Sequence, residues 1–376
     1  MSEQRRSDNK QASTVFEGRP VRAIIDRSAF GHNINIARQL APNSEVLVVI
    51  KADAYGHGLL EMAEAAGPKS MLAVATAEEA QRLIDGGIRN TIWVLEGPFS
   101  ESCLALSVQH SIVWVLHSFW QFDLFKKHNL SDKVDICLKF DTGMHRLGFS
   151  VEAVGEALLA LAQLPNLRLE ACMSHFSGSD WPDSEAVSRQ IQCFDTIIKT
   201  HSLNHVPQSL SNSGGVLFYD QAHRDWVRPG IMLYGGMPHE NQRAQDCDLR
   251  PVMRFESAVM SLKHVRVGDS VGYGATWTAE KDSIIAIVAG GYGDGYPRYA
   301  PNGTPVVVAG QIASLAGRVS MDMLAIDVTG LDPINIGDSV ELWGKYVSVD
   351  QVAALSGTIS YDLLTGVTAR VPKIYT

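Results

Sequence analysis

Val46-Leu-Val-Val-Ile-Lys51-Ala-Asp-Ala-Tyr-Gly-His-Gly58 is a run of five apolar residues that stops at a lysine, followed by a glycine-bearing turn and a helical pattern over 59–66. β-Branched Val and Ile predict a buried strand at 46–50. A lysine at the carboxyl end of such a strand is costly as an ammonium, because desolvation disfavours the charged form. As a neutral amine the same group can attack a carbonyl and form a Schiff base. A strand-end lysine reaching into solvent is the plainer alternative, and the rest of the chain decides between them.

Working outward, short β-like runs alternate with helical patterns. Strands are predicted at 46–50, 71–75, 91–95, 112–116, 134–140, 169–174, 208–211 and 226–231, with helices such as 77–85, 151–163 and 184–200 between them. Eight such units have the rhythm of a (β/α)8 barrel, and a doubly wound open sheet is the competing arrangement. Beyond about residue 250 the rhythm changes. Segments 257–264, 283–288, 305–308, 323–328 and 338–342 are short, β-rich and punctuated by Gly and Pro, which predicts a mostly-β second domain. The expected division is a flexible polar leader at 1–17, a barrel at 18–248 and a β domain at 249–376. The polar stretch 238–250 is the expected linker, and residues 20–26 form a strand-like segment that could return to the β domain.

The 376 residues are 45% hydrophobic and 19% charged, with a formal net charge of −9, enough apolar content for two cores. The acidic balance argues against nucleic acid and anionic membrane surfaces as partners. No apolar run is long enough to span a bilayer, and the leader lacks the apolar segment of a secretory signal. The five cysteines are scattered without C-x-x-C spacing, so a reducing cytoplasm is expected. The histidines show no metal-ligand spacing, and no metal is expected.

A barrel places its chemistry at the carboxyl ends of its strands. Lys51 ends the first predicted strand, and Lys139 lies near the end of the fifth in Leu138-Lys-Phe-Asp-Thr-Gly-Met-His-Arg-Leu-Gly-Phe149. His175 ends the sixth, Asn212 and Ser213 the seventh, and Arg228-Pro-Gly-Ile231 the eighth. Each is unremarkable alone, but five on one rim suggest a constructed site. These blocks, with Lys51-Ala-Asp-Ala-Tyr-Gly-His-Gly58 foremost, resemble the motifs of the alanine racemase family in the same order, from about residue 18 to the C-terminus.

The resemblance implies a pyridoxal 5'-phosphate (PLP) enzyme of fold-type III with Lys51 as the cofactor's Schiff-base lysine. It implies that Tyr55, Ser213, the Gly230 and Ile231 amides and Tyr361 hold the phosphate, with His175 and Asn212 beside the cofactor. Hydroxyls and main-chain donors at a strand-to-helix turn suit a dianion. Arg228 is implied against the pyridine nitrogen, where many PLP enzymes use an aspartate. Arginine has no acceptor and keeps its proton, so the ring would be a weaker electron sink.

Racemisation needs a base on each face of Cα. The resemblance implies Lys51 and, from the other subunit of a homodimer, Tyr273 in Val271-Gly-Tyr-Gly-Ala-Thr-Trp277. Free tyrosine titrates near 10, so a cationic network involving His175 and Arg228 is expected to lower it. Lys139 resembles the family position that is often carbamylated, where a carbamate would orient Arg146, itself implied near the substrate carboxylate. Met321, in Gly317-Arg-Val-Ser-Met-Asp322, is implied next to that carboxylate.

Gly290-Gly-Tyr-Gly-Asp-Gly-Tyr-Pro-Arg298 is not read as a nucleotide loop, because Pro297 interrupts the helix such a loop needs. It resembles the family's entry-channel block, so Asp180, Tyr292, Arg298, Arg318 and Asp322 are implied along the substrate's path. The implied reaction is interconversion of L- and D-alanine, which serves either D-alanine production for the cell wall or its degradation. Racemisation of serine or of a broader set of amino acids, PLP-dependent decarboxylation, and non-catalytic PLP binding are the alternatives. A decarboxylase of this architecture brings a cysteine from its second domain, and none occurs beyond Cys247.

Overall fold

The structure is a computed structural model and describes residues 16–128, 133–239 and 242–376. The expected leader at 1–17 lies almost wholly outside the described residues. In chain order the strands are β1 (Arg22–Ile25), β2 (Glu45–Val49), β3 (Met71–Val74), β4 (Ile92–Val94), β5 (Ile112–Leu116) and β6 (Val134–Lys139). They continue with β7 (Leu167–Met173), β8 (Gln208–Ser209), β9 (Trp226–Val227), β10 (Met253–Val265), β11 (Ser270–Val271) and β12 (Trp277–Thr278). The last six are β13 (Ser283–Ala289), β14 (Pro305–Val308), β15 (Gln311–Leu315), β16 (Met323–Asp327), β17 (Ser339–Trp343) and β18 (Lys373–Tyr375).

β2 to β9 close into a parallel barrel, with β2 pairing β9 through Glu45↔Trp226 and Val46↔Val227. The open-sheet alternative is thereby excluded. Each strand is nearly continuous in apolar residues because both of its faces are buried. Ile112–Leu116, for instance, is buried throughout. Trp93 meets Trp226 edge-on at 4.7 Å inside this core. The surrounding helices follow from local signals. Asp26 caps the helix Arg27–Leu40 by accepting the Ser28 and Ala29 amides. Within that helix, buried Asn33 donates to the Leu233 and Arg250 carbonyls and accepts the Arg250 amide, so the backbone at Arg250 is pinned to the barrel.

The second unit is an eight-stranded sheet in the order β13-β16-β15-β14-β17-β10-β1-β18, with β10 also pairing β13. Its core stacks Trp343 against Tyr296 and Phe255. The two compact units do not divide at 248/249. The barrel unit is Asp26–Val252 with Tyr375–Thr376, and the β unit joins the described residues before Asp26 to Met253–Ile374. The reason is register: Arg22↔Glu256 to Ile25↔Met253 makes β1 an antiparallel neighbour of β10. Two helices of the β unit, Val349–Leu355 and Ser360–Thr365, were not expected. They are short enough to hide among apolar runs whose period is ambiguous. Among the described residues, no helix is long and apolar enough to cross a membrane, and all five cysteines are free thiols.

Candidate active site

The chain leaves β2 in an unusual way. Ile50 still donates to the Ala73 carbonyl at 2.8 Å, but Ala52, Asp53, Ala54 and Tyr55 then adopt φ between 52° and 54°. Four successive non-glycine residues form a left-handed turn, at about 1–2 kcal/mol each. Several contacts hold it. His57 Nδ1–H donates to the Tyr55 and Ala54 carbonyls, and Asp53 accepts the Leu59 amide at 3.1 Å. The Tyr55 ring stacks on Tyr234 at 4.6 Å, and the Tyr234 hydroxyl donates to the Val49 carbonyl at 3.0 Å. Lys51 opens this turn. Burial lowers its pKa, Arg146 lowers it further, and Glu96 and Glu79 oppose both.

Around the same rim, Lys139 ends β6 and is buried, with a pKa pushed down to about 8 by desolvation, then by Arg228 and Arg146. Arg146 lies on the loop after β6, which Gly148 pinches shut: a Cβ there would lie 2.5 Å from the Asp141 nitrogen. His175 follows β7, and its pKa falls well below the ordinary value, first by desolvation and then through Arg228, Lys139, Arg146 and Lys51. Burial among other nitrogen groups thus favours the neutral imidazole.

Arg228 is buried after β9. Its guanidinium donates to the Ser174 carbonyl at 2.6 Å, the Leu210 carbonyl at 3.3 Å and the Ser209 hydroxyl. These partners are neutral oxygens, and desolvation lowers its pKa to about 10. Ser213 Oγ accepts the Gly230 amide at 2.8 Å and the Met232 amide at 3.3 Å. Gly230 is required by the approach of Tyr55, because a Cβ there would lie 2.3 Å from the Tyr55 hydroxyl oxygen. Ile231 begins a buried helical turn, Ile231–Tyr234. Asn212 caps the helix Ser213–Phe218 by accepting the Gly215 amide, and also accepts the Ser179 hydroxyl. Asp180 lies in the loop after β7, where burial raises its pKa against the opposing charge of His239.

The β unit carries the remaining candidates. Tyr273 is 69% exposed, between Gly272 and Gly274 at φ 75° and 76°. Gly317 lies against the same segment, since a Cβ there would lie 2.7 Å from the Val271 carbonyl oxygen. Met321 is 51% exposed, and its carbonyl accepts the Gly293 amide at 2.9 Å. Arg318 is exposed, Arg298 lies over the Tyr292 ring at 5.6 Å, and Tyr361 is half-buried at the start of Ser360–Thr365.

Sequence reasoning missed Asp294, fully buried within the glycine-rich block. It receives Arg19 through two 2.6 Å bonds and the Gly291 amide at 2.9 Å. Arg370 lies 3.5 Å from it and bonds Asp322 at 2.7 Å. An aspartate among glycines reads as a turn residue, so its burial had no local signal. Tyr234 and Glu79 were also missed: the Tyr234 bond to the Val49 carbonyl spans 185 residues, and the Glu79 reach to Ala52 spans 27.

The family models for the N-terminal and C-terminal domains of alanine racemase match residues 25–238 and 252–375. The alanine racemase of Hahella chejuensis is 42% identical over 366 residues, covering 95% of this chain and 98% of that protein. The catabolic alanine racemase of Pseudomonas putida is 43% identical over 358 residues, covering 95% and 99%. The crystal structure of the biosynthetic alanine racemase from Pseudomonas aeruginosa superposes with a TM-score of 0.91 at 43% identity, covering 96% of this chain and all of that one. Equal identity to a catabolic and a biosynthetic relative leaves the direction of use in the cell undivided.

Proposed function

The chain belongs to the alanine racemase family and is an isomerase; on that premise we propose that it interconverts L- and D-alanine with pyridoxal 5'-phosphate, using two opposed bases in a homodimer. The observation that carries this reading is Lys51, a half-buried amine of lowered pKa at the head of a left-handed turn on the barrel rim. The residues present fit the cofactor. Lys51 offers a nucleophilic amine, Ser213 a hydroxyl beside the Gly230 amide, and Gly230 a close approach that a side chain would block. Tyr55 and Ser213, with the Gly230 and Ile231 backbone, would hold the phosphate, Tyr361 would add a hydroxyl, and His175 and Asn212 would line the ring's side of the site.

Bound there, the cofactor supplies an aldehyde for the substrate amine and a conjugated ring that stabilises charge at Cα. Arg228 faces that role as a cation bonded to neutral oxygens. It has no acceptor to hold a proton at a ring nitrogen, so Arg228 would leave that nitrogen unprotonated and temper the ring's electron withdrawal. Lys51 Nζ takes or returns the Cα proton on one face, which requires the neutral amine that its burial favours. Tyr273 of the partner subunit serves the other face. Its exposure in the β unit suits a group that acts outside its own domain.

Arg146 orients the substrate carboxylate, assisted by the backbone at Met321 of the partner subunit. Lys139, with a pKa of about 8, keeps a reactive neutral fraction at pH 7. Attack of its nitrogen on carbon dioxide with loss of a proton would form a carbamate that turns a cation into a partner for Arg146. Asp180, Tyr292, Arg298 and Arg318 line the approach of the amino acid. Free thiols and the acidic surface accord with action in the cytoplasm on a small amino acid. A coupled assay should detect D-alanine from L-alanine and little product from L-serine. Absence of D-alanine from protein that retains PLP overturns the reading.

A further inference from the structure

β2 and β3 are parallel neighbours, with Leu47↔Met71 to Val49↔Ala73 in register. After Ile50 donates to the Ala73 carbonyl, the next bond of a parallel ladder would run from the Ala75 amide to the Ile50 carbonyl. The left-handed turn breaks that step, because the Ile50 carbonyl accepts the Ala54 amide at 2.9 Å instead. Glu79 takes the donors that the ladder gives up. Its Oε1 accepts the Ala52 amide at 2.6 Å and its Oε2 accepts the Ala75 amide at 2.8 Å. The origin of the device is local. Thr76 caps the helix Ala77–Asp85 and Glu79 is its third residue, the position whose carboxylate in a capping box returns to the cap's own amide. Here the carboxylate reaches one residue further back and across to the neighbouring strand's exit. Charged acceptors on backbone amides make the stronger class of hydrogen bond, which suits a turn made of strained residues.

We propose that Glu79 is a positioning residue for Lys51, its carboxylate clamping the first amide of the left-handed turn to the end of β3. The inference rests on Lys51 as the PLP-attachment amine. Glu79 touches neither substrate nor the reacting atoms; it fixes where Nζ stands. It also adds negative charge near Lys51, which faces Glu79 and Glu96 as anions and Arg146 as a cation.

The test uses the full chain, stripped of its cofactor with hydroxylamine and given PLP across neutral to alkaline pH. In capture, Lys51 Nζ adds to the aldehyde carbon and the carbonyl oxygen leaves as water. The imine absorbance gives the rate, and borohydride reduction with peptide mass gives the attachment site. Hydrogen exchange over 51–58 is measured in parallel. In Glu79→Gln, one amide donor would meet an NH2 group. The plateau rate, where the amine is fully neutral, should fall about tenfold, exchange over 51–58 should rise while other barrel segments hold, and the capture midpoint should move to lower pH.

Glu79→Asp keeps the charge but not the reach. It should lower the plateau and the protection while leaving the midpoint near that of the parent, and it carries the test should Glu79→Gln fail to fold. Parent-like plateau and protection in either folded variant overturn the inference. Parent protein that traps PLP elsewhere than Lys51 overturns the reading of Lys51 and the inference with it.

Discussion

On the proposed function, the barrel rim and the Tyr273–Met321 surface of the β unit would prepare chemistry in two ways. At the rim, Lys51, Lys139, His175 and Arg228 are crowded together, and burial lowers the pKa of each. Burial at the rim therefore favours the neutral forms of its lysines and imidazole, at the expense of a strained turn and a buried guanidinium. In the β unit, Tyr273, Met321 and Tyr292 are exposed to differing degrees, held by backbone geometry at Gly272, Gly274, Gly291 and Gly317 rather than by desolvation. A group poised by burial is ready within its own domain. A group poised by backbone aim is ready to meet something else.

Substitutions can break or sharpen this contrast, and the largest effect is expected at Lys51. Lys51→Ala should leave no measurable racemisation and no borohydride-trapped PLP at that position, because both attachment and one base are lost. Residual activity above about one part in ten thousand would put the base elsewhere. Next comes Tyr273→Phe. The loss in kcat should be about 10²–10⁴-fold, with the thermal midpoint unchanged because the hydroxyl is exposed and holds no core. Full activity in Tyr273→Phe would remove the second base, and a large drop in thermal stability would mean that the surface is structural.

Gly230→Ala should weaken both PLP binding and the fold. Its Cβ would sit 2.3 Å from the Tyr55 hydroxyl oxygen, and relieving such overpacking typically costs about 1–3 kcal/mol. PLP titration and denaturant unfolding measure the two parts, and parent-like values in both would show that Tyr55 can move aside. The smallest effect is the pH dependence of Lys139. Its folded pKa of about 8 lies below the ordinary 10.5, so between those values the unfolded chain binds more protons than the folded one. Stability should therefore rise with pH across that window. In carbon-dioxide-free buffer, Lys139→Met should flatten that rise; an unchanged slope would assign it to another group.

Legibility in the sequence followed the range of the forces involved. The helices Leu59–Ala66 and Ala77–Asp85 and the strands β5 and β14 coincide with their periodic patterns, because period and glycine boundaries are local. The predicted strands at 208–211 and 226–231 shrink to two residues each. Their remaining backbone serves Arg228, whose amide takes the Ser211 carbonyl and whose guanidinium takes Leu210. Asn212 has the chemistry of a cap and is used as one.

By itself, the sequence determined the alternation that closes a barrel, the change to a β-rich domain, and the kinds of group at the strand ends, since hydrophobic period and residue chemistry are written along the chain. The tertiary structure decided the rest. The left-handed turn after Lys51 runs against the preference of Ala52, Ala54 and Tyr55, and contacts from Glu79, Tyr234 and His57 hold it. The lowered pKa of His175 comes from burial and then from charged groups elsewhere on the rim, and the return of β1 to β10 from pairing across more than two hundred residues. Each is a sum over neighbours that only folding brings within reach.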